Sequence, residues 1–170
     1  MKYLFLGDSI TDWFNTDELL SEYSIDNRGV AGDATDDTYE LINSIDFSKN
    51  YDKIFLCIGT NDLARGKSEE NIAANIANIV AKLKDLSPNS KIFVESVFPT
   101  RENVVRPNER IIKLNLLLKE KSTLFEYEFI NFYEYFIDDD NKLKEEFTED
   151  GLHLTRAAYF VWADLLKSYL

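Results

Sequence analysis

Cysteine and histidine are almost missing from this chain: Cys57 and His153 are the only ones. A single cysteine excludes an internal disulfide, and a single histidine removes the usual histidine-rich metal sets. Cys57 falls inside the apolar run Ile54–Ile58, where its thiol reads as buried and inert. Long hydrophobic runs are also missing, and nothing approaches the roughly 20 apolar residues of a membrane span. The apolar run after Lys2 lasts four residues and stops at Gly7-Asp8, which does not read as a secretion signal, so a cytoplasmic location is expected. Basic residues are in deficit, 19 against 31 acidic ones, for a net charge of −12. That balance disfavours nucleic acid and anionic membrane surfaces as partners. No Pro-Gly-Ser linker or composition shift divides the 170 residues, and one domain over 1–170 is expected.

What is present is a regular alternation of short apolar runs and helical patterns. Lys2–Leu6 runs into Gly7-Asp8-Ser9 and reads as a buried strand ending in a turn, with Gly7 permitting the bend. A helix is expected over Thr11–Leu20, and a second strand over Tyr23–Arg28. The loop Gly29–Asp33 precedes a short helix capped by Thr35 or Asp33. Lys53–Ile58 is the third strand, and Ser68 caps a helix with Ile72, Ile76, Ile79, Leu83 and Leu86 at helical spacing. Lys91–Glu95 is the fourth strand. Pro107 opens a helix with Ile111, Ile112, Leu114 and Leu118 on its apolar side, and Glu126–Asn131 makes the fifth strand. Asp138–Glu149 reads as a solvated acidic loop, and Thr155–Leu170 as a closing helix. This order predicts an α/β chain, a three-layer flavodoxin-like fold whose five-stranded parallel sheet is covered by helices on both faces.

In a parallel sheet, every loop that follows a strand leaves from the same edge. Ser9, Gly32 and Asn61 follow strands one, two and three, and Asp150 and His153 lie beyond strand five. These are the residue types of acyl transfer by serine. A hydroxyl needs an adjacent base, which His153 supplies, and Asp150 three residues earlier can turn back to the other ring nitrogen. The Ser9 and Gly32 N–H groups and the Asn61 amide would stabilise a tetrahedral oxyanion. Taken one at a time, each motif also describes a turn or a helix cap; their convergence on one edge carries the chemistry.

Gly7-Asp8-Ser9-Ile10, Asn27–Gly32, Gly59-Thr60-Asn61-Asp62 and Asp150–Leu154 resemble, in order, the four signature blocks of the GDSL/SGNH hydrolases. The resemblance implies Ser9 as nucleophile, His153 as base, Asp150 as its orienter, and Gly32 and Asn61 in the oxyanion hole with Ser9. Ile10 stands where the family's naming leucine does, and Ala158 where many members carry glycine. The compact length and Phe98-Pro99 look most like the platelet-activating-factor acetylhydrolase branch. A serine esterase acting on short-chain, acetyl-type esters is therefore expected, with lysophospholipase, thioesterase or acyltransferase use of the same site as the alternative. A flavodoxin-like binding module is the reading from another class. It lacks support, since no glycine-rich phosphate loop opens a helix after strand one.

Trp13, Phe14, Leu63 and Phe98 are expected to fill the pocket beside the nucleophile, with Arg101 facing the substrate or an acidic partner. Arg28 reads as an ion-pair residue. Asp8, Asp33 and Asp62 show no metal-ligand spacing and are expected to hydrogen-bond turns and loops, so neither metal nor other cofactor is expected. The aromatic run Phe125–Phe136 reads as sheet core, with contact to a second copy of the chain as the alternative.

Overall fold

The computed structural model describes all 170 residues. Its sheet is built from β1 (Lys2–Gly7), β2 (Ser24–Gly29), β3 (Lys53–Cys57), β4 (Lys91–Glu95) and β5 (Glu128–Ile130). All neighbours run parallel in the order β2-β1-β3-β4-β5, the flavodoxin-like arrangement read from the sequence. No helix is long and apolar enough to cross a membrane.

Strand alternation sorts the core into two chemically different layers. Leu4, Leu6, Ile54, Leu56, Ile92 and Val94 point to one face, where α5 (Glu69–Leu86) and α6 (Asn108–Phe125) cover them with Ile72, Ile76, Leu83, Ile111 and Leu118. Tyr3, Phe5, Phe55 and Phe93 point to the other, beneath α7 (Arg156–Leu166). That second layer is aromatic: Phe55 stacks on Phe93 at 4.8 Å, and Phe14 on Trp162 at 4.5 Å between centroids. Ala158 is fully buried in it, so the side chain that replaces the family's frequent glycine is absorbed by packing.

Several expected elements differ. The helix over Thr11–Leu20 is two short ones, α1 (Ser9–Asp12) and α2 (Thr16–Leu19). Asn27 Nδ2 donates to the Thr11 and Phe14 carbonyls, and Asn15 Oδ1 accepts from Glu18 N–H, so side chains satisfy the backbone at the break. The helix after Gly32, α3 (Thr35–Leu41), is capped by neither Thr35 nor Asp33. Ala34 is its N-cap, with Asp37 accepting from the Ala34 N–H, while Thr35 Oγ1 donates to Asp62. Ser68 does cap α5. Leu86 and Ile112 stand at helical spacing yet are exposed, because each lies at the margin of its apolar stripe.

β5 is shorter than expected at its start because α6 runs to Phe125 and ends on Glu126 in the left-handed region. The acidic segment 138–149 is not a purely solvated loop. Leu143 and Phe147 are buried in the aromatic layer, and Ile137 pairs with Leu143 in a short antiparallel bridge. Composition hid this, since two apolar side chains anchor a stretch otherwise made of charges.

Candidate active site

β1 delivers Ser9 by a close backbone approach. A Cβ on Gly7 would lie 2.2 Å from Thr11 Oγ1 and 2.4 Å from the Cys57 carbonyl, so this position admits only glycine. The reason is packing against β3 rather than the sharp bend expected. Asp8 then caps α1 by accepting from Ile10 N–H at 3.0 Å, which places Ser9 at the first helical position with its N–H outside the helical bonding pattern. Asp8 is buried, and burial pushes its carboxyl up to about 7 against the opposing pull of the Ile10 N–H and the Arg106 charge.

Opposite Ser9 stands the turn Asp150–His153. Gly151 occupies the left-handed region at φ +82°, and a Cβ there would meet the Arg101 carbonyl at 2.1 Å. Its own carbonyl accepts from Arg101 N–H at 2.8 Å, tying this turn to the loop after β4. Asp150 Oδ1 accepts from the Leu152 and His153 N–H groups, leaving Oδ2 to bind His153 Nδ1 at 2.6 Å. Burial alone would raise the Asp150 carboxyl. The His153 ring and the two N–H donors outweigh it and hold the group at about 2. An ionised carboxylate only accepts, so the ring proton sits on Nδ1 and the Nε2 lone pair faces Ser9 Oγ at 3.0 Å. A hydrogen-bonded Ser–His–Asp relay is therefore assembled from residues 144 positions apart.

The two remaining sequence-derived residues sit on the adjoining loops. Gly32 is exposed with open space around it, and its N–H has no acceptor within the protein. Its carbonyl accepts from Arg65. Asn61, on α4 (Thr60–Ala64), donates one Nδ2 proton to the Asp33 carbonyl at 2.8 Å, which links it to the Gly32 loop and leaves the second proton free. Asp62 accepts from Thr35 and Lys67, the loop-bonding role expected of it.

The expected pocket is largely elsewhere. Phe14, Leu63 and Phe98 are 2%, 1% and 2% exposed, packed into the two core layers, and offer a substrate no surface. Sequence distance from the site residues could not reveal which way these rings and the leucine turn. Arg101 takes the acidic partner of its two expected roles, pairing with Asp138 and donating to the Leu143 carbonyl at 2.7 Å, rather than facing a substrate. Arg28 pairs with Asp26, as expected. Trp13 alone belongs to the site: it is 53% exposed and stacks on the His153 ring. With Glu149, Asp150, Leu154, Thr155 and Arg156 it bounds a hollow of about 290 Å³ on the His153 side of the relay. Ser9 is not among that hollow's walls.

Two residues of this region escaped the sequence reading. Arg106 donates from Nε to the Thr60 carbonyl and from Nη2 to Asn61 Oδ1, at 3.1 and 3.0 Å. Its only signal was an arginine beside Pro107, at the end of a long connection. Glu95 closes β4 and is 2% exposed, accepting from Trp162 Nε1 at 2.9 Å; burial pushes its carboxyl up to about 8. Nothing in the sequence distinguishes it from a strand-end glutamate in solvent.

Comparison with known proteins shows the family and the fold. The model of the GDSL-like Lipase/Acylhydrolase family matches residues 5–160. A solved Streptococcus pneumonia protein, provisionally described as a platelet activating factor, is 31% identical with a TM-score of 0.94, covering 99% of this chain and 83% of its own. A GDSL-like lipase from Bacteroides thetaiotaomicron is 22% identical with a TM-score of 0.84, covering 99% and 86%. An acetyl xylan esterase shares the fold over 100% of both chains, at 21% identity and a TM-score of 0.82. No curated protein gives a significant match. With a family match that spans nearly all of its length, the chain belongs to the GDSL-like lipase/acylhydrolase family, hydrolases of carboxylic esters.

Proposed function

We propose that this enzyme hydrolyses short-chain, acetyl-type esters through an acyl-enzyme on Ser9. The observation that carries the reading is the relay from Ser9 Oγ through His153 to the ionised Asp150. Ser9 Oγ attacks the ester carbonyl as its proton passes to His153 Nε2, and Asp150 holds the Nδ1 proton and stabilises the imidazolium. The carbonyl oxygen becomes an oxyanion, met by the N–H groups of Ser9 and Gly32 and by the free Nδ2 proton of Asn61. Collapse of the tetrahedral intermediate breaks the ester C–O bond, and the His153 proton goes to the departing alkoxide. Water then attacks the acyl-enzyme with His153 again taking the proton, and a second tetrahedral intermediate releases the carboxylic acid and Ser9. The nucleophile, base and oxyanion donors of the acylation step all come from the chain itself.

The hollow on the His153 side of the relay has mostly polar walls, which suits a polar leaving alcohol. The acetyl xylan esterase that shares this fold acts on such an ester, and acetylated sugars are the substrate class we infer. A fluorophosphonate probe followed by peptide mass spectrometry tests the core of the reading. The label is expected on Ser9, and Ser9→Ala is expected to be unlabelled, folded and near background in ester hydrolysis. Wild-type-like turnover by Ser9→Ala would falsify the nucleophile assignment.

A further inference from the structure

We propose that Arg106 is a positioning residue that fixes the orientation of the Asn61 amide and strengthens it as an oxyanion donor. The inference rests on the esterase reading above and adds to it a residue outside the four signature blocks.

An asparagine side chain is nearly symmetric in shape, yet only one of its two orientations offers N–H groups to an oxyanion. Here the choice is made by two neighbours of opposite character. Arg106 Nη2, 3.0 Å from Asn61 Oδ1, can only donate. The Asp33 carbonyl, 2.8 Å from Nδ2, can only accept. Turning the amide over would set donor against donor and acceptor against acceptor, so both contacts enforce the same orientation. A cation on Oδ1 also withdraws electron density through the conjugated amide, which polarises the Nδ2–H bonds toward an incoming oxyanion.

The guanidinium is placed for this and for little else. Its two hydrogen-bonding partners are the Thr60 carbonyl and Asn61 Oδ1, adjacent residues at the start of α4, and neither is a carboxylate. No ion pair within 4.0 Å compensates its partial burial, although Asp8 and Asp150 lie near enough to act on its charge. A half-buried cation with only neutral hydrogen-bond acceptors bears a desolvation cost that no contact ion pair offsets, so charge pairing does not account for its position. The backbone beneath it is anchored as well. Thr100 Oγ1 donates to the Arg106 carbonyl at 2.7 Å, and the Asn108 side chain bonds both the N–H and the carbonyl of Thr100 at 2.8 Å. The loop after β4 thus presents Arg106 to Asn61 from a braced frame.

The test is a double-variant cycle on p-nitrophenyl acetate with Arg106→Gln, Asn61→Ala and the combined variant, each checked by its thermal midpoint. Arg106→Gln is expected to lower kcat by roughly ten- to thirtyfold with KM nearly unchanged, against about 10²–10³-fold for Asn61→Ala. In the Asn61→Ala background, adding Arg106→Gln is expected to cost less than about threefold, because the group it acts through is gone. Arg106→Lys, which keeps a cation able to reach Oδ1, is expected to recover part of the lost kcat and serves in the same cycle should the glutamine variant fail to fold. Equal losses in both backgrounds, a loss confined to KM, or a wild-type kcat in Arg106→Gln would each overturn the proposal while leaving Asn61 in place. A wild-type kcat in Asn61→Ala would remove the oxyanion role of Asn61 itself, and this inference with it.

Discussion

The indole of Trp13 lies stacked on the imidazole of His153, ring centroids 4.2 Å apart and planes inclined by 28°. One face of the ring proposed to carry charge during catalysis is thereby covered by an electron-rich surface. An exposed cation–π contact contributes about 0.5–1 kcal/mol, and each ~1.4 kcal/mol is tenfold in rate. Trp13→Ala is expected to lower kcat by about two- to fivefold, while Trp13→Phe, which keeps a ring face, stays near wild type. Steady-state kinetics decide it; an unchanged kcat in Trp13→Ala would reduce the stack to packing.

Asp150 is expected to remain ionised wherever the enzyme is folded, since its carboxyl is held at about 2. The sign follows from that depression. The paired form is favoured above the ordinary carboxylate value of 3.8 and is lost only as pH falls through about 2. Asp150→Asn permits the wrong ring tautomer and is expected to cost up to about 10⁴-fold in kcat. A wild-type kcat in folded Asp150→Asn would contradict the assignment.

The turn that carries Asp150 depends on the absence of a side chain at Gly151. Alanine there would bring Cβ to 2.1 Å from the Arg101 carbonyl while holding a left-handed φ of +82°. Strain of this kind costs of order 1–3 kcal/mol. Gly151→Ala is expected to lower both the thermal midpoint and kcat, because relieving the clash moves Asp150 away from His153. Unchanged stability and turnover together would show that the Arg101–Gly151 contact is dispensable.

Glu95 gives the protein a stability that falls with rising pH. Its carboxyl is raised from 4.5 to about 8, so between those values the folded chain retains a proton that the unfolded chain has released. Stability is then full below pH 4.5 and declines until pH passes about 8. Glu95→Gln cannot ionise, yet keeps an oxygen to accept from Trp162. The stability of the variant relative to wild type should therefore increase across that window, by at most about 1.4 kcal/mol per pH unit. Asp8 titrates in both proteins and cancels in the difference. Thermal or denaturant unfolding at a series of pH values would show a flat difference if Glu95 is already ionised in the folded state.

What the sequence disclosed follows from what is local in it. The strand order rests on short apolar runs and their spacing. Ser9, Gly32 and Asn61 stand just beyond such runs, whereas Asp150 and His153 are read from an acid three residues before the only histidine and from the family's motifs. Side-chain direction is not local. Phe14 and Trp13 are adjacent, yet one is buried against Trp162 while the other covers His153, because the chain turns where α1 ends at Trp13. Leu143 and Phe147 hid among charges because no apolar periodicity surrounds them, although Phe147 packs on nearby Phe136. Arg106 was illegible because its partners, Thr60 and Asn61, stand some 45 residues earlier.

Acyl-chain preference is the prediction most altered by the structure. Three of the four bulky residues expected to fill the pocket are in the core, so crowding by Phe14, Leu63 and Phe98 cannot be what limits the acyl group. The limit lies instead in what is available to bury a chain. A methylene gains about 0.8 kcal/mol when transferred from water into an apolar groove, and almost nothing along a wet polar wall. The hollow beside His153 measures about 290 Å³, and its apolar walls are only Trp13 and Leu154, with Glu149, Asp150, Thr155 and Arg156 making it polar. A larger and more apolar hollow is bounded by Ile112, Leu116, Phe129 and Ile137, on α6 and around β5, and none of the relay residues lines it. Lengthening the acyl group from acetyl should therefore add little to transition-state binding, and kcat/KM across p-nitrophenyl esters should be highest between two and four carbons. A maximum at eight carbons or more would require an apolar channel reaching Ser9, and would favour lysophospholipid or thioester substrates over acetylated sugars.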